Sequence, residues 1–592
     1  TSGLKHDTAP RWSPDGRTLA FVSDREGSRQ LYLLPLAGGD PRRLTEHPVG
    51  VSGPRWAPDG RGLLLLAEGA DLRGHPVPLA EKDGRRRLTT IREYRHKHDG
   101  QGFFGPARRH VWVVDLDGAL RQVTDGPFED AAAAWSPDGR EIAFSSDRSA
   151  ERDGHHEGGA IQVVDIATGA LRRLTPESGR ATAPAWSPDG REIAYVGAET
   201  ADDAGPSELH LFVVAAGGGE PRRLTGQLGR SVGQRPSGYL TPSPPVWTAD
   251  GELRYLIGTG GETHLWAVPP RQLTVGAHAA LEFSADAARE RVALAIADPV
   301  TPPEIFVWDA AGGLRRVTPT NAPLLAELDL PRPERLTFQR DGRQYEGWLL
   351  APRPASPDAG TRRAPLVLSV HGGPHNYFGQ TWNYDHQLFA AQGWAVLYLN
   401  PRGSGGYGES FAREVIGDWG GGDLADQLAA LDQIVARSEP AIDPARLAMI
   451  GSSYGGYMTC WAITQTDRFR AGVAGACIAN LISFYGTSDL GATWGQREFG
   501  GPPAARLDWY LERSAVLHAD RVSTPLLLYH GEDDLRCPIE QSEQMFTALR
   551  CQGKEVELIR LPGESHGALS GSPVHRVEAR RAILAYLARH LA

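Results

Sequence analysis

Several features that would mark particular classes of protein are missing from this sequence. It has four cysteines, none in C-x-x-C or zinc-type spacing, so we expect no metal site and thiols that are buried or inert. No run of 18 apolar residues exists, so we expect neither a transmembrane helix nor a membrane partner. No signal peptide follows Thr1, and cysteine usage of this kind is typical of a reduced, cytoplasmic protein.

An excess of positive charge is also missing. The net charge is −10, and the arginines, which far outnumber the lysines, are scattered along the chain. Because no basic patch dominates, we expect no nucleic-acid partner.

The chain is long and rich in turn formers, with 592 residues, Gly 70 and Pro 44. A chain of this length is too long to fold around one hydrophobic core, so two or more domains are predicted. The turn formers indicate a β-rich portion.

A five-residue block, Trp-Ser-Pro-Asp-Gly or a close variant, recurs through the N-terminal half. Its copies begin at Trp12, Trp56, Trp135, Trp186 and Trp247, with a degenerate copy at Phe283. Pro-Asp-Gly supplies a tight turn, because proline fixes φ and glycine tolerates positive φ. An alternating apolar run follows each copy, so each block predicts a strand, a turn and a second strand.

A second block follows each first one and predicts a second hairpin. It ends in an Arg-Arg-Leu-Thr-like element, with its threonine at Thr45, Thr124, Thr175, Thr225, Thr274 or Thr318. Two hairpins per repeat make a four-stranded blade, the unit of a β-propeller.

The spacing of the repeat also predicts how many blades there are. The step from Thr45 to Trp56 is 11 residues, and Thr1 lies 11 residues before Trp12. Thr1 therefore occupies the position of a seventh blade-ending threonine. We predict an N-terminal all-β seven-bladed propeller over residues 1–325, with its first blade largely absent from this chain. Residues 82–105 are predicted to be an insertion within one blade.

The pattern changes near Pro331, and residues 326–592 are predicted to form an α/β domain. A hairpin is expected over residues 335–350. Apolar runs of strand length follow at 366–370, 395–399, 447–450, 471–476, 526–529 and 556–559. Helical patterns alternate with them at 423–437, 539–551 and 574–591. Fully apolar strands between helices indicate a mostly parallel sheet, whose chemistry collects at the carboxyl ends of the strands.

A nucleophile follows one of these strands. Residues 447–450 run into Gly451-Ser-Ser-Tyr-Gly-Gly-Tyr457, which contains the G-x-S-x-G pattern of a nucleophile elbow. Glycines are needed because Cβ atoms would clash in this turn, which exposes Ser453 at a helix N-terminus. Ser452 falls at the wrong position of the pattern, so Ser453 is the predicted nucleophile.

The strand-to-helix elbow predicts an α/β-hydrolase domain for residues 326–592. A serine nucleophile needs a base, and in α/β-hydrolases an acid and then a histidine follow it along the chain. Strand 526–529 ends in His530-Gly-Glu-Asp-Asp534, and strand 556–559 is followed by a loop that contains His566. His566 is the predicted base, whereas His530 is expected to brace the acid loop. Spacing alone leaves Asp533 and Asp534 as alternatives for the acid.

An oxyanion hole needs two backbone N–H donors. One is predicted to be that of Tyr454, directly after the nucleophile. The other is expected from the loop His371-Gly372-Gly373-Pro374, where glycines let the backbone approach a reacting carbonyl. Gly373 is the predicted donor and Gly372 is the alternative.

Together these motifs resemble the prolyl oligopeptidase family of serine peptidases, in particular its acylaminoacyl-peptidase-like branch. The resemblance spans essentially the whole chain, from the Trp-Ser-Pro-Asp-Gly blocks to the glycine-rich segment 400–408, the elbow and His530-Gly-Glu-Asp-Asp-Leu-Arg-Cys-Pro538. It implies that Asp534 is the catalytic acid, since the family acid is the fifth residue of the His-Gly block. It also implies that Arg536 binds a substrate carbonyl on the acyl side of the scissile bond, a role that suits a planar cation. A salt bridge to a nearby acidic residue is the alternative for Arg536.

The resemblance further implies a function. Relatives use the propeller as a lid that excludes large substrates, so we expect short peptide substrates and acyl-enzyme chemistry without metal or cofactor. The leading hypothesis is release of N-acylated amino acids. A carboxypeptidase-type or broad oligopeptidase, an esterase or lipase, and an inactive binding protein are the alternatives. Relatives often assemble, so a homo-oligomer is compatible with the resemblance. The aromatic segment 481–499 is expected to be either a wall of the substrate pocket or part of the core.

Overall fold

The computed structural model describes residues 6–69, 90–104, 107–150, 152–153, 158–199, 208–226, 228–236, 243–286, 288–353 and 363–592. In this part of the chain, the N-terminal half forms four-stranded antiparallel sheets one after another. The C-terminal half forms one larger mixed sheet with helices on both faces.

The N-terminal sheets follow the repeat predicted from the sequence. The first contains β1 (Asp7–Trp12), β2 (Thr18–Ser23), β3 (Gln30–Pro35) and β4 (Arg42–Arg43). The second contains β5 (Val51–Trp56), β6 (Gly62–Glu68), β9 (Arg109–Asp115) and β10 (Leu120–Gln122). Between β6 and β9 the chain forms a small separate hairpin of β7 (Lys97–His98) and β8 (Gly102–Phe103).

The next sheets repeat the same order. The third contains β11 (Asp130–Trp135), β12 (Glu141–Ser146), β13 (Ala160–Asp165) and β14 (Leu171–Arg173). The fourth contains β15 (Arg180–Trp186), β16 (Glu192–Ala198), β17 (His210–Ala215) and β18 (Arg222–Arg223). The fifth contains β19 (Val246–Trp247), β20 (Leu253–Thr259), β21 (Glu262–Ala267) and β22 (Arg271–Gln272). The sixth contains β23 (Ala279–Ala285), β24 (Val292–Asp298), β25 (Thr301–Asp309) and β26 (Gly313–Arg316), and it joins the fifth through a parallel bridge between β21 and β23.

The threonine that ends each second block holds the fourth strand against the third. The Oγ1 atom of Thr45 accepts a hydrogen bond from the N–H of Leu31 at 2.9 Å. The same contact recurs at Thr124, Thr175, Thr225, Thr274 and Thr318. The six threonines identified from the sequence therefore share one structural role.

The tryptophan of the first block joins neighbouring sheets. The indole N–H of Trp56 donates to the carbonyl oxygen of Arg11 at 3.0 Å, and Arg11 directly precedes the tryptophan of the preceding sheet. Equivalent bonds are donated by Trp135, Trp186 and Trp247. Apolar clusters fill the space between successive sheets. Serial packing of this kind agrees with a propeller, while the seven-blade count and the domain limits at residues 325 and 326 stay predictions.

The predicted insertion lies within the second sheet. Strands β6 and β9 are paired neighbours, with Glu68 opposite Arg109, so the chain between them is inserted between the second and third strands. Residues 70–89 and 105–106 of this segment lie outside the described residues. Its described part carries the β7–β8 hairpin, which reaches the C-terminal half of the molecule.

The C-terminal sheet has eight strands in the described residues. They are β27 (Glu334–Arg340), β28 (Arg343–Leu350), β29 (Ala364–Val370), β30 (Ala395–Leu399), β31 (Ile442–Ser452), β32 (Ala471–Gly475), β33 (Leu526–Gly531) and β34 (Val556–Leu561). Their spatial order is β27-β28-β30-β29-β31-β32-β33-β34, antiparallel as far as β30 and parallel from there on. The predicted hairpin and all six predicted apolar strands are present.

Helices cover both faces of this sheet. The helices of the described residues are α1 (Ala322–Ala326), α2 (Tyr384–Ala391), α3 (Glu409–Arg413), α4 (Gly422–Val435), α5 (Tyr454–Gln465), α6 (Leu481–Thr487), α7 (Gln496–Glu498), α8 (Pro503–Glu512), α9 (Glu540–Cys551) and α10 (Pro573–Leu591). One core packs α4, α5 and α9 on the sheet, and a second packs α2 and α10 on its other face. Among the described residues, no helix combines the length and the apolar character needed to cross a bilayer.

The aromatic segment 481–499 contributes to the core. Phe484 and Phe499 are 2% and 0% exposed and pack edge to face with each other. Phe499 also packs on Trp419, beneath the elbow helix α5. Phe484 and Phe499 are therefore part of the core rather than a wall of the substrate pocket.

Candidate active site

Ser453 lies in a strained turn between a strand and a helix. Strand β31 ends at Ser452 and α5 begins at Tyr454, so Ser453 sits between them with φ 62° and ψ −122°. A positive φ is unusual for a residue with a Cβ atom and stores strain at the turn. The turn presents the hydroxyl at the N-terminus of α5, where the helix dipole favours developing negative charge.

The glycines around Ser453 are required by close backbone packing. A Cβ atom on Gly455 would lie 2.4 Å from the carbonyl oxygen of Val370 in β29. A Cβ atom on Gly456 would lie 2.5 Å from the carbonyl oxygen of Gly475 in β32. Helix α5 therefore approaches two strands more closely than any other residue would allow, which is the reason for the glycines of the elbow pattern.

Asp534 and His566 meet at the carboxyl ends of the neighbouring strands β33 and β34. Nδ1 of His566 lies 2.8 Å from Oδ2 of Asp534. The other carboxylate oxygen, Oδ1, accepts hydrogen bonds from the backbone N–H groups of Arg536 at 2.9 Å and Cys537 at 2.8 Å. Asp533, the alternative acid, is exposed, and its N–H bonds to the carbonyl oxygen of Glu564. The geometry therefore presents Asp534 to the imidazole.

The environment of Asp534 keeps it ionised. The residue is 3% exposed, and burial alone would raise the pKa of its carboxyl. Hydrogen bonds and charge interactions with His530 and His566 outweigh burial and lower the pKa of Asp534 to about 2. A carboxylate of this kind can hold an imidazole in one orientation and stabilise its protonated form.

His530 braces the acid loop, as predicted. Its ring is buried, with Nδ1 2.7 Å from the Ser542 hydroxyl and Nε2 2.6 Å from the carbonyl oxygen of Cys537. Nε2 also lies 3.3 Å from Oδ2 of Asp534. Burial disfavours the protonated ring, but the contact with Asp534 outweighs it and raises the pKa of His530.

The nucleophile loop and the acid loop are in contact. Strands β31 to β34 are adjacent and parallel, so the loops after them meet at one edge of the sheet. Burial raises the pKa of the Cys537 thiol despite an opposing contribution from the Ser453 side chain. Since the N–H of Cys537 also bonds to Asp534, a single residue spans the distance between the two loops.

The predicted oxyanion-hole residues lie beside Ser453. The N–H of Tyr454 belongs to the first turn of α5, where N–H groups have no acceptor within the helix. A Cβ atom on Gly372 would be only 3.6 Å from the Cβ atom of Ser453, so this loop runs along the nucleophile. Gly373 has φ 121°, and a Cβ atom there would come within 2.4 Å of the backbone nitrogen of His375. The loop can take this path only with glycine at that position.

Arg536 is held in an ion pair. Its Nε atom lies 2.7 Å from Oδ1 of Asp489, and its Nη2 atom lies 3.1 Å from Oδ2. The N–H of Asp489 donates to the carbonyl oxygen of Leu535 at 2.9 Å, which fixes the pair against the acid loop. This is the salt bridge that the sequence left as an alternative, and the carbonyl-binding role of Arg536 stays a prediction.

Sequence reasoning missed two acidic residues at this site, Asp489 and Asp99. Asp99 comes from the β7–β8 hairpin of the N-terminal half. Its carboxylate accepts hydrogen bonds from the N–H groups of Leu535 at 3.0 Å and His566 at 3.2 Å. These partners are separated along the chain by 436 and 467 positions, and an Asp-Gly pair in an insertion signals only a turn. Nothing in the sequence connects this turn with the catalytic loops.

The residues described by the structure contain no group of three or more His, Cys, Asp and Glu side chains arranged to hold a metal ion.

Comparison with known proteins gives relatives over the whole chain. A Bacillus subtilis protein named uncharacterized peptidase YuxL is 35% identical over 607 residues, covering 100% of this chain and 91% of the relative. The dipeptidyl-peptidase 5 of Porphyromonas gingivalis is 27% identical, covering 100% of this chain and 87% of the relative. The solved structure of Pyrococcus horikoshii acylaminoacyl peptidase superposes with a TM-score of 0.85 at 26% identity, over 99% of this chain and 88% of that one.

A family model for the prolyl oligopeptidase family matches residues 380–592, the part that carries Ser453, Asp534 and His566. With a relative 35% identical over the full chain, this protein belongs to the prolyl oligopeptidase family of serine peptidases.

Proposed function

We propose that Ser453, Asp534 and His566 form a catalytic triad that hydrolyses short peptides, and that the preferred reaction is release of N-acylated amino acids. The observation that carries this proposal is the 2.8 Å pairing of His566 with Asp534 at the same sheet edge as the strained Ser453 turn.

The proposed mechanism is acyl transfer. Ser453 attacks the peptide carbonyl while His566 takes its proton, and the oxyanion is received by the N–H groups of Tyr454 and Gly373. His566 then gives the proton to the leaving amine, and water hydrolyses the acyl-enzyme by the same steps. Asp534, ionised because the pKa of its carboxyl is lowered to about 2, stabilises the imidazolium that forms in between.

The pairing of Asp489 with a cation supports an acylated amino end rather than a free one. A free α-ammonium group would require an unneutralised carboxylate close to the acyl side of the scissile bond. Asp489 is already paired with Arg536 through two contacts, so its charge is compensated. Arg536, oriented by that pair, is proposed to donate to a substrate carbonyl on the acyl side. The likeness to an acylaminoacyl peptidase supports the same choice.

We further propose that the N-terminal sheets form a propeller that limits access to small substrates. The β7–β8 hairpin of the second sheet lies directly against the catalytic loops, so the N-terminal half covers part of the site.

The substrate class can be tested with a panel of matched substrates. Acetyl-Ala- and acetyl-Phe-p-nitroanilide represent acylated amino ends, Gly-Phe-p-nitroanilide a free amino end, a benzyloxycarbonyl dipeptide a free carboxyl end, and p-nitrophenyl acetate an ester. We expect the acetylated anilides to give the highest kcat/KM of the four classes. Dominant cleavage of Gly-Phe-p-nitroanilide would instead assign a dipeptidyl-peptidase activity, and activity confined to the ester would assign an esterase.

Two serine variants provide the control for this panel. Ser453→Ala removes the proposed nucleophile and should lower every activity by about 10⁶-fold. Ser452→Ala, one residue earlier and outside the elbow position, should retain activity. Hydrolysis that survives in Ser453→Ala would show that another residue is the nucleophile.

A further inference from the structure

The geometry points to Asp99, on the inserted hairpin of the N-terminal half, as a positioning residue that holds the catalytic base His566 in place. This inference rests on the triad proposed above and adds to it a residue from the other half of the molecule.

The Asp99 carboxylate bonds to two loops, the one that follows the proposed acid Asp534 and the one that carries the proposed base His566. Oδ1 accepts the N–H of Leu535 at 3.0 Å and the N–H of His566 at 3.2 Å, and Oδ2 lies 3.2 Å from the same His566 nitrogen. Leu535 directly follows the triad acid, and His566 is the triad base. One carboxylate therefore ties together the backbones of the loops after β33 and β34.

The hairpin that carries Asp99 is itself anchored to the catalytic half. The N–H of Asp99 donates to Oδ2 of Asp489 at 2.9 Å, and the ammonium group of Lys97 donates to the carbonyl oxygen of Thr487. Burial lowers the pKa of Lys97, in agreement with an ammonium group enclosed between the two halves. The hairpin is thus anchored to the C-terminal half through the Lys97 side chain and the Asp99 backbone.

These contacts matter because His566 lies in a loop rather than on a helix or a strand. Its imidazole is oriented by Asp534 through Nδ1, and its backbone is held by Asp99 through the amide. A charged acceptor makes stronger hydrogen bonds to N–H groups than a neutral one. A displacement of about 1 Å in a catalytic group can cost about 100-fold in rate, so loss of the backbone anchor should reduce catalysis while leaving substrate binding largely intact.

Substitution at position 99 of the full chain tests this role. Asp99→Ala removes all three acceptor contacts but retains the backbone N–H that bonds to Asp489. Asp99→Asn retains one acceptor oxygen and should give an intermediate effect. Gln101→Ala, at an exposed position of the same hairpin, is the matched control.

The rate at which a fluorophosphonate probe acylates the nucleophile measures the positioning effect, and the final extent of labelling measures the folded fraction. We expect Asp99→Ala to lower the labelling rate constant and kcat for acetyl-Ala-p-nitroanilide by 10- to 100-fold, about the range for a misplaced catalytic group. KM and the labelling endpoint should change by less than about threefold, since substrate contacts are retained. Gln101→Ala should match the wild type.

A role in folding alone would give a different pattern, with a reduced labelling endpoint and an unchanged rate constant for the remaining folded protein. That pattern, or a wild-type rate constant in both Asp99→Ala and Asp99→Asn, would overturn the inference. Failure of the triad itself is recognised separately, because Ser453→Ala would then still be labelled.

Discussion

At the scale of single residues, the site depends on the partners of two carboxylates, those of Asp534 and Asp489. Asp534 is buried and shared between His530 and His566, which keeps it ionised, while Asp489 neutralises Arg536. The sequence identified the triad candidates because each follows an apolar strand in a fixed order. It could not distinguish Asp533 from Asp534 by spacing, since only the three-dimensional turn after β33 decides which of two adjacent side chains faces the imidazole.

Asp534→Asn tests whether this carboxylate orients the imidazole of His566. An amide in its place favours the wrong imidazole tautomer, so kcat should fall by about 10⁴-fold with the fold retained. Acetyl-Ala-p-nitroanilide hydrolysis measures this, with circular dichroism as the check on folding. A decrease of less than about tenfold would show that Asp534 does not orient the base.

The difference in unfolding free energy between wild type and Asp534→Asn should become smaller as the pH falls. The pKa of Asp534 is lowered to about 2 in the folded protein, so its stabilising contribution is complete above pH 4 and is lost as the pH falls through 2. By pH 3 about 1 kcal/mol of that contribution should be gone. Urea unfolding of wild type and Asp534→Asn at pH 6 and pH 3 should therefore show a smaller stability difference at pH 3. A difference that grows towards pH 3 would contradict the assigned pKa.

At the scale of elements, the sequence predicted more of the structure than it did at the scale of side chains. All six apolar strands, the three helical patterns and the repeated hairpins appear within a few residues of their expected bounds. These elements have local signals, namely turn glycines, apolar periodicity and blade-ending threonines. The β7–β8 hairpin had no such signal for its position, because its contacts lie in a different part of the chain.

The elbow glycines provide a test at this scale. Gly456→Ala places a Cβ atom 2.5 Å from the carbonyl oxygen of Gly475, so α5 must move away from β32 and carry Ser453 with it. We expect a stability loss of about 2 kcal/mol or more, typical of overpacking, together with a large loss of activity. Gly486→Ala is the matched control, because a Cβ atom on Gly486 in α6 would meet open space.

Thermal unfolding and kcat measured in parallel distinguish the two variants. Gly486→Ala should be neutral or slightly stabilising, since alanine favours the helix. An active Gly456→Ala of wild-type stability would show that α5 does not depend on this close approach.

At the scale of the whole molecule, the two halves are connected at the proposed catalytic centre. Within the N-terminal half, tryptophan indoles join the second, third, fourth and fifth sheets to the sheet before each, which makes a continuous scaffold from repeated units. One hairpin of that scaffold crosses to the C-terminal half and bonds to the loops of Asp534 and His566. The catalytic loops are therefore supported by a structure far away in the chain, which sequence patterns alone could not show.

Activation of Ser453 by His566 can be tested by mass spectrometry of the fluorophosphonate adduct. We expect the adduct on Ser453 itself, distinguished from Ser452 by fragmentation of the tryptic peptide that contains both, and His566→Ala should lower its rate of formation by more than about 10³-fold. An adduct on another residue, or equally fast labelling of Ser453 without the imidazole of His566, would contradict it.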